Sequence, residues 1–219
     1  AVTISLKKTG VPPGDITAAQ MDGIADLAER YTFGELRVTH EQNLVFADVE
    51  RESLHALWTR LGALGLATAN RGLITNIIAC PGGDFCSLAN AVSIPVASAI
   101  QERFDDLDYL HDVGDLDLNI SGCMNSCGHH HVGHIGILGV DKNGQEWYQV
   151  SIGGSQGPTA SLGKVIGPSF ARADVPDVIE RLIEVYLRER DSDAERFIDT
   201  VQRLGIEAFK RNVYALADQ

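Results

Sequence analysis

Apolar residues recur along this chain at two periods, and the switches between them mark its elements. Val2 to Leu6 reads as a strand running into a Pro12-Pro13-Gly14 turn. Thr17 and Gln20 have capping-box spacing, and Met21, Ile24, Leu27 and Tyr31 follow at helical intervals. Leu36 to Thr39 and Leu44 to Phe46 predict two short strands. Leu54, Leu57, Trp58 and Leu61 predict a second helix that stops near Gly62 or Gly65. Residues 1–70 are thus expected to form a small α+β module, with Asn70-Arg71-Gly72 as the hinge to the next domain.

Beyond the hinge, Leu73 to Ala79 is an unbroken apolar run and predicts a strand that ends at Cys80. A helix is expected from Cys86 toward Ala91, interrupted by Pro95 and resuming from Val96 to Phe104. Asp105 to Asp112 reads as an acidic connection, and Leu116 to Ile120 alternates as a strand leading to Cys123. His134–Val140 and Gln145–Ile152 predict a hairpin around Asp141-Lys142-Asn143-Gly144. Pro176 opens a helix carrying Ile179, Leu182, Ile183 and Tyr186. A helical pair, 196–204 and 207–216, closes the chain. The expected organisation is a first module over 1–70, a second domain over 71–190 and a helical tail over 191–219.

The chemistry is concentrated in the chain's only four cysteines, Cys80-x5-Cys86 and Cys123-x3-Cys127. Both pairs follow predicted strands, the position where open α/β sheets place ligand sites. Four thiolates suit an iron–sulfur cluster. The alternatives are two local disulfides or a zinc site, although a five-residue gap is wider than the two to four residues common in structural zinc pairs. His129, His130, His131 and His134 also cluster. Consecutive side chains on an extended segment point to opposite faces, so packing around the loop is favoured over metal ligation.

The residues around the cysteines carry a resemblance. Ala79-Cys80-Pro81 through Phe85-Cys86-Ser87-Leu88-Ala89-Asn90-Ala91, Ser93-Ile94-Pro95, and Asn119-Ile120-Ser121-Gly122-Cys123 through Cys127-Gly128-His129-His130-His131 resemble the siroheme- and 4Fe–4S-containing sulfite and nitrite reductases. Upstream, Leu36-Arg37-Val38-Thr39-His40-Glu41-Gln42-Asn43-Leu44 resembles the strand motif of that family's ferredoxin-like half-domain. The implied fold is a ferredoxin-like half-module followed by a mixed-sheet α/β cluster-binding domain, α+β and α/β in class. The implied cofactors are a 4Fe–4S cluster held by Cys80, Cys86, Cys123 and Cys127, and a siroheme whose iron shares the Cys127 sulfur. Asn125 is placed against the siroheme, with a plain turn-forming role as the alternative. Arg37 could reach siroheme carboxylates, or be a half-exposed strand arginine. Gly153-Gly154 and residues 157–163 read either as a backbone platform near the cofactor or as a flexible loop.

Members of that family are typically more than twice as long, and this chain resembles only the second of their two repeats. The expectation is therefore the C-terminal half of a reductase. It would supply the electron-relay side, contain no catalytic residues for substrate activation, and be inactive alone. Sulfite reduction is the leading activity, with nitrite reduction or stand-alone iron–sulfur electron transfer as alternatives. The implied partners are the N-terminal repeat, a ferredoxin or flavoprotein electron donor and a small anion; an uncovered inward face would also favour a homodimer.

Composition narrows this picture. A formal charge of −12 argues against nucleic acid, which requires a basic face. No apolar run is long enough to span a membrane. Clustered thiols at ligand-like spacing suit a reducing compartment, so a cytoplasmic location is expected.

Overall fold

A computed structural model describes residues 1–214. The chain divides into two compact units, Ala1–Arg71 and Gly72–Gln219.

The first unit is a three-stranded antiparallel sheet in the order β1 (Val2–Ile4), β3 (Leu44–Phe46), β2 (Leu36–Val38), with helices α1 (Ala18–Tyr31) and α2 (Leu54–Ala63). The predicted capping box forms. Gln20 N–H donates to Thr17 Oγ1 at 3.2 Å, and Thr17 N–H donates to Gln20 Oε1 at 3.0 Å. Ile4, Ile24, Leu27, Phe46, Leu57 and Leu61 make the core. Met21 and Trp58, expected on the inward stripes, are 58% and 60% exposed because no element of this unit covers them. A buried polar line ties the unit's two ends: Ser5 Oγ donates to Asn70 Oδ1 at 2.6 Å, and Asn70 Nδ2 donates to the Lys7 carbonyl at 3.1 Å.

The second unit is built on a five-stranded mixed sheet, β4 (Ile78–Ala79), β5 (Leu118–Ser121), β6 (Ile135–Lys142), β7 (Gln145–Ile152) and β8 (Lys164–Val165), in that order. The β4–β5 and β5–β6 pairs are parallel, and β6–β7 and β7–β8 are antiparallel. The β6–β7 hairpin turns through Asn143 and Gly144, at φ 56° and 79°, the left-handed pair that a two-residue turn of this twist requires. Helices α3 (Ile94–Arg103) and α4 (Leu107–Val113) lie between β4 and β5 in sequence, and α5 (Val175–Glu189), α6 (Phe197–Leu204) and α7 (Ile206–Tyr214) follow the sheet.

Three local expectations are corrected. The run from Leu73 is a strand only at Ile78–Ala79; Leu73, Ile74 and Ile77 reach the core from turns, one closed by Asn76 N–H to the Leu73 carbonyl at 2.8 Å. Residues 86–91 form no helix, and Pro95 opens α3 instead of interrupting one, since its missing N–H costs nothing in a first turn. The acidic connection contains α4, because the Asp106 carboxylate caps it by accepting from Tyr109 N–H at 3.0 Å. The predicted final helix extends to residue 216, and its last two positions lie outside the described residues.

One core runs from α3 through the sheet to the last helices. It holds Ile100, Ile120, Ile137, Val150, Ile179 and Ile183 together with Phe197 and Phe209, whose rings meet edge to face at 5.7 Å between centroids. Phe209→Ala is therefore expected to cost the second unit about 3–5 kcal/mol, read as a lowered denaturant midpoint at constant m-value.

Candidate functional site

Parallel pairing places the C-terminal ends of β4 and β5 side by side, and both cysteine loops start there. Cys80 N–H donates to the Ile120 carbonyl at 3.1 Å, extending the ladder by one rung. The next donor along β5, Gly122 N–H, finds no carbonyl and donates to the Cys80 sulfur at 3.1 Å. The Gly122 carbonyl in turn accepts from Asn90 N–H at 2.9 Å and Ala91 N–H at 3.1 Å, so the first loop closes over the start of the second. A Cβ at Gly122 would stand 2.7 Å from both the Ala91 carbonyl oxygen and the Gly82 Cα, and only glycine permits this crossing.

The second loop is held from beneath by β5. Ser121 Oγ accepts from Gly128 N–H at 3.1 Å, and Asn119 Nδ2 donates to the His129 carbonyl at 3.1 Å. Gly128 lies so close to the strand that a Cβ there would meet the Ile120 carbonyl oxygen at 1.9 Å. Ser126 and His129 adopt left-handed backbone, with φ 58° and 53°. Such strain persists only where surrounding contacts impose it, and Ser121 and Asn119 supply those contacts.

A third anchor comes from β7. Val92 N–H donates to Glu146 Oε2 at 3.1 Å, while the Tyr148 hydroxyl lies 2.9 Å from the Val92 carbonyl and 3.1 Å from the same carboxylate. Burial, then the neighbouring Glu146 carboxylate, pushes the Tyr148 phenol well above its ordinary range. Arg172 balances Glu146 at 3.1 Å.

The four thiols are graded in exposure. Cys80 and Cys123 are buried, Cys86 is half-buried and Cys127 is exposed, and none is in a disulfide. Among the described residues, no three His, Cys, Asp or Glu side chains gather closely enough to hold one metal ion. Structural zinc would draw its four donors around one ion. A cubane takes one thiolate at each of four irons, and loops crossed through glycine, with buried and exposed sulfurs, suit that wider demand. Phe85, Leu88 and Met124, at 83%, 69% and 82% exposure, put apolar side chains on the same two loops.

The other predicted residues fall in separate places. Asn125 is exposed on the Cys123–Cys127 loop. Arg37 lies in the first unit on β2, with its Nε 2.5 Å from Glu35 Oε1. The histidines diverge: His130 and His131 meet edge to face at 5.3 Å, while His134 Nδ1 accepts from Asp117 N–H at 3.1 Å. The Gly153–Gly163 segment packs against them, with Gly153 N–H on the His134 carbonyl at 3.0 Å and Gly163 N–H on the His131 carbonyl at 2.8 Å. Sequence reasoning placed Ser93, Asn119 and Ser121 within the resembling motifs but gave them no role, and it missed Glu146 and Tyr148. Asn119 and Ser121 carried one usable signal, since both are polar residues in a strand that is otherwise apolar.

This arrangement matches a known family. Residues 72–218 match the model of the nitrite and sulphite reductase 4Fe-4S domain, and residues 8–64 match the nitrite/sulfite reductase ferredoxin-like half domain. The chain belongs to the nitrite and sulfite reductase family. The family implies a 4Fe–4S cluster and siroheme as cofactors.

The chain is 31% identical over 210 residues to a sulfite reductase [ferredoxin] of Mycobacterium tuberculosis, covering 90% of this chain and 38% of that one. It is 34% identical over 200 residues to the chloroplastic ferredoxin–nitrite reductase of Zea mays, covering 84% and 34%. It therefore spans well under half the length of these curated relatives. A relative of similar size is the assimilatory-type sulfite reductase of Nitratidesulfovibrio vulgaris, 24% identical over 202 residues and covering 92% and 88%. Among solved structures, the NirA protein of Mycobacterium tuberculosis superposes with a TM-score of 0.75 at 27% identity, covering 95% of this chain and 39% of that one.

Burial, with a smaller contribution from His131, lowers the His130 pKa to about 4. The unfolded chain takes up this proton near pH 6.5, whereas the folded one does not until about 4. His130 therefore opposes folding increasingly as pH falls through that window and contributes no penalty above it. His130→Gln is expected to flatten the loss of stability between pH 6.5 and 4, measured as the difference between wild-type and variant denaturation midpoints.

Proposed function

We propose that this chain is the cluster- and siroheme-ligating C-terminal half of a sulfite reductase hemoprotein. Cys80, Cys86, Cys123 and Cys127 hold the 4Fe–4S cluster, and the Cys127 sulfur is shared with the siroheme iron. The observation that carries the proposal is the pairing of β4 with β5, which sets the Cys80 sulfur against the backbone that leads into Cys123. Reduction of sulfite to sulfide consumes six electrons and a matching supply of protons at one centre. The cluster would supply electrons and the siroheme iron would hold the anion. This chain's own residues fix the cysteine loops: Gly122 N–H at the Cys80 sulfur, and Ser121 and Asn119 beneath the Cys127 loop. Exposure of the Cys127 sulfur fits a thiolate shared with a second cofactor.

Asn125, exposed beside Cys127, is assigned to the siroheme, and so is Arg37, which must then exchange Glu35 for a siroheme carboxylate. The cations that would hold the substrate are assigned to the N-terminal repeat. In this half many arginines are already spent on neighbouring carboxylates: Arg103 on Asp177 and Glu180, Arg190 on Asp112 and Asp193, and Arg203 on Asp191 and Glu195. The electron donor is a ferredoxin or flavoprotein, in a reducing compartment such as the cytoplasm. Among the described residues, no helix is long and apolar enough to cross a membrane.

The sulfite reductase of nearly this chain's length favours a second reading, in which one such chain turns over by itself. Nitrite is the alternative substrate, on the strength of the maize relative.

Reconstitution with iron, sulfide and siroheme separates these readings. Cluster assembly should fail when any one cysteine is replaced by Ser, and normal iron content and visible absorption in such a variant would overturn the ligand assignment. With reduced viologen as donor, the half-enzyme reading expects sulfide and ammonia production near background, rising when the N-terminal half is added in trans. Robust turnover by the chain alone supports the self-sufficient reading instead. The ratio of sulfite to nitrite turnover settles the substrate.

A further inference from the structure

Ser93 occupies the N-cap position of α3, where a serine oxygen ordinarily accepts a hydrogen bond from the helix's first free N–H groups. Here it caps nothing. The side chain is fully buried, and its Oγ lies 3.6 Å from the Cys80 sulfur. The surrounding backbone holds it there. A Cβ on Gly82 would stand 2.6 Å from Ser93 Oγ and one on Gly122 would stand 3.2 Å away, so the hydroxyl sits in the gap between the two cysteine loops. The serine carbonyl is occupied separately, accepting from Ala97 N–H at 3.0 Å. A buried hydroxyl turned away from its capping role toward a sulfur is a specific arrangement.

We propose that Ser93 tunes the reduction potential of the cluster, by donating its hydroxyl proton to the Cys80 sulfur. The inference rests on the assignment of Cys80 as a cluster ligand. A ligating sulfur is a thiolate and can only accept, which fixes the direction of the bond. Gly122 N–H is a second donor to the same sulfur. Among the described residues, Cys80 is the one cysteine whose sulfur receives hydrogen bonds, so its corner of the cluster differs from the other three. Reduction places added negative charge on the cluster and its sulfurs. Donors aimed at a sulfur stabilise that reduced form and raise the potential, and burial strengthens the effect. Ser93 acts through Cys80 and touches no substrate, so its role is positioning and electronic.

The test is an EPR-monitored redox titration of the reconstituted chain, wild type against Ser93→Ala and Ser93→Gly. Glycine suits an N-cap nearly as well as serine, which guards against a helix defect in the alanine variant. Both variants should load iron as wild type does, with a midpoint shifted negative. At the wild-type midpoint, the ratio of reduced to oxidised cluster should fall roughly tenfold, as for one lost hydrogen bond to a charged acceptor. Wild-type iron content with an unchanged or more positive midpoint overturns the Ser93 role while leaving the cluster assignment intact. Failure of the wild-type chain to take up a cluster overturns that assignment, and this inference with it.

Discussion

The pairing of β4 with β5 is the constraint on which the rest of the second unit depends. Parallel strands end at the same edge of a sheet, so their loops must emerge together. β4 has only two residues in the ladder, and Cys80 adds the last rung through Ile120. One residue further along β5 the ladder runs out, and the unpaired Gly122 N–H turns to sulfur. A buried donor left without a partner costs free energy comparable to a lost hydrogen bond, so the sulfur satisfies the backbone as much as the backbone holds the sulfur. A longer β4 would have used that donor and carried the first loop past the second.

The loops that leave this edge are short of regular structure, yet they are not loosely held. Each is tied to a different strand by a polar side chain: the first to β7 by Glu146 and Tyr148, the second to β5 by Ser121 and Asn119. These anchors bond to backbone groups, which leaves the cysteine side chains available. The contrast with the outward side is sharp. Phe85, Leu88 and Met124 stand in solvent beside an exposed thiol, a combination that a soluble surface has no reason to gather unless something covers it.

Electrostatics divides the chain differently. The surplus of acidic groups is spread over the surface, while Arg103 of α3, Arg190 after α5 and Arg203 of α6 are bound into local pairs, Arg103 tying α3 to α5 and Arg190 reaching α4. The exposed Arg103 pairs contribute little to stability individually. The larger effect of all these pairs is to occupy the arginines, so that they are not free to bind an anion.

What the sequence determined was the local chemistry and the long periodic elements. The capping box at Thr17, the Asn143-Gly144 hairpin, the amphipathic α5 and the spacing of the four cysteines each depend on residues near one another in the chain, where propensity and period act directly. Met21 and Trp58 show where that logic ends, because helical spacing marks a stripe but not whether another element arrives to cover it. The same holds for Leu73 to Ile77, whose hydrophobicity was plain while their conformation was set by turns that fit them into the core. Tertiary structure alone decided the site's supports. Ser93, Asn119, Ser121, Glu146 and Tyr148 meet the cysteine loops from two different strands and a helix terminus, as much as 56 positions apart in the case of Tyr148 and Val92. A buried hydroxyl on a sulfur is a contact between distant segments, and no period along the chain encodes it.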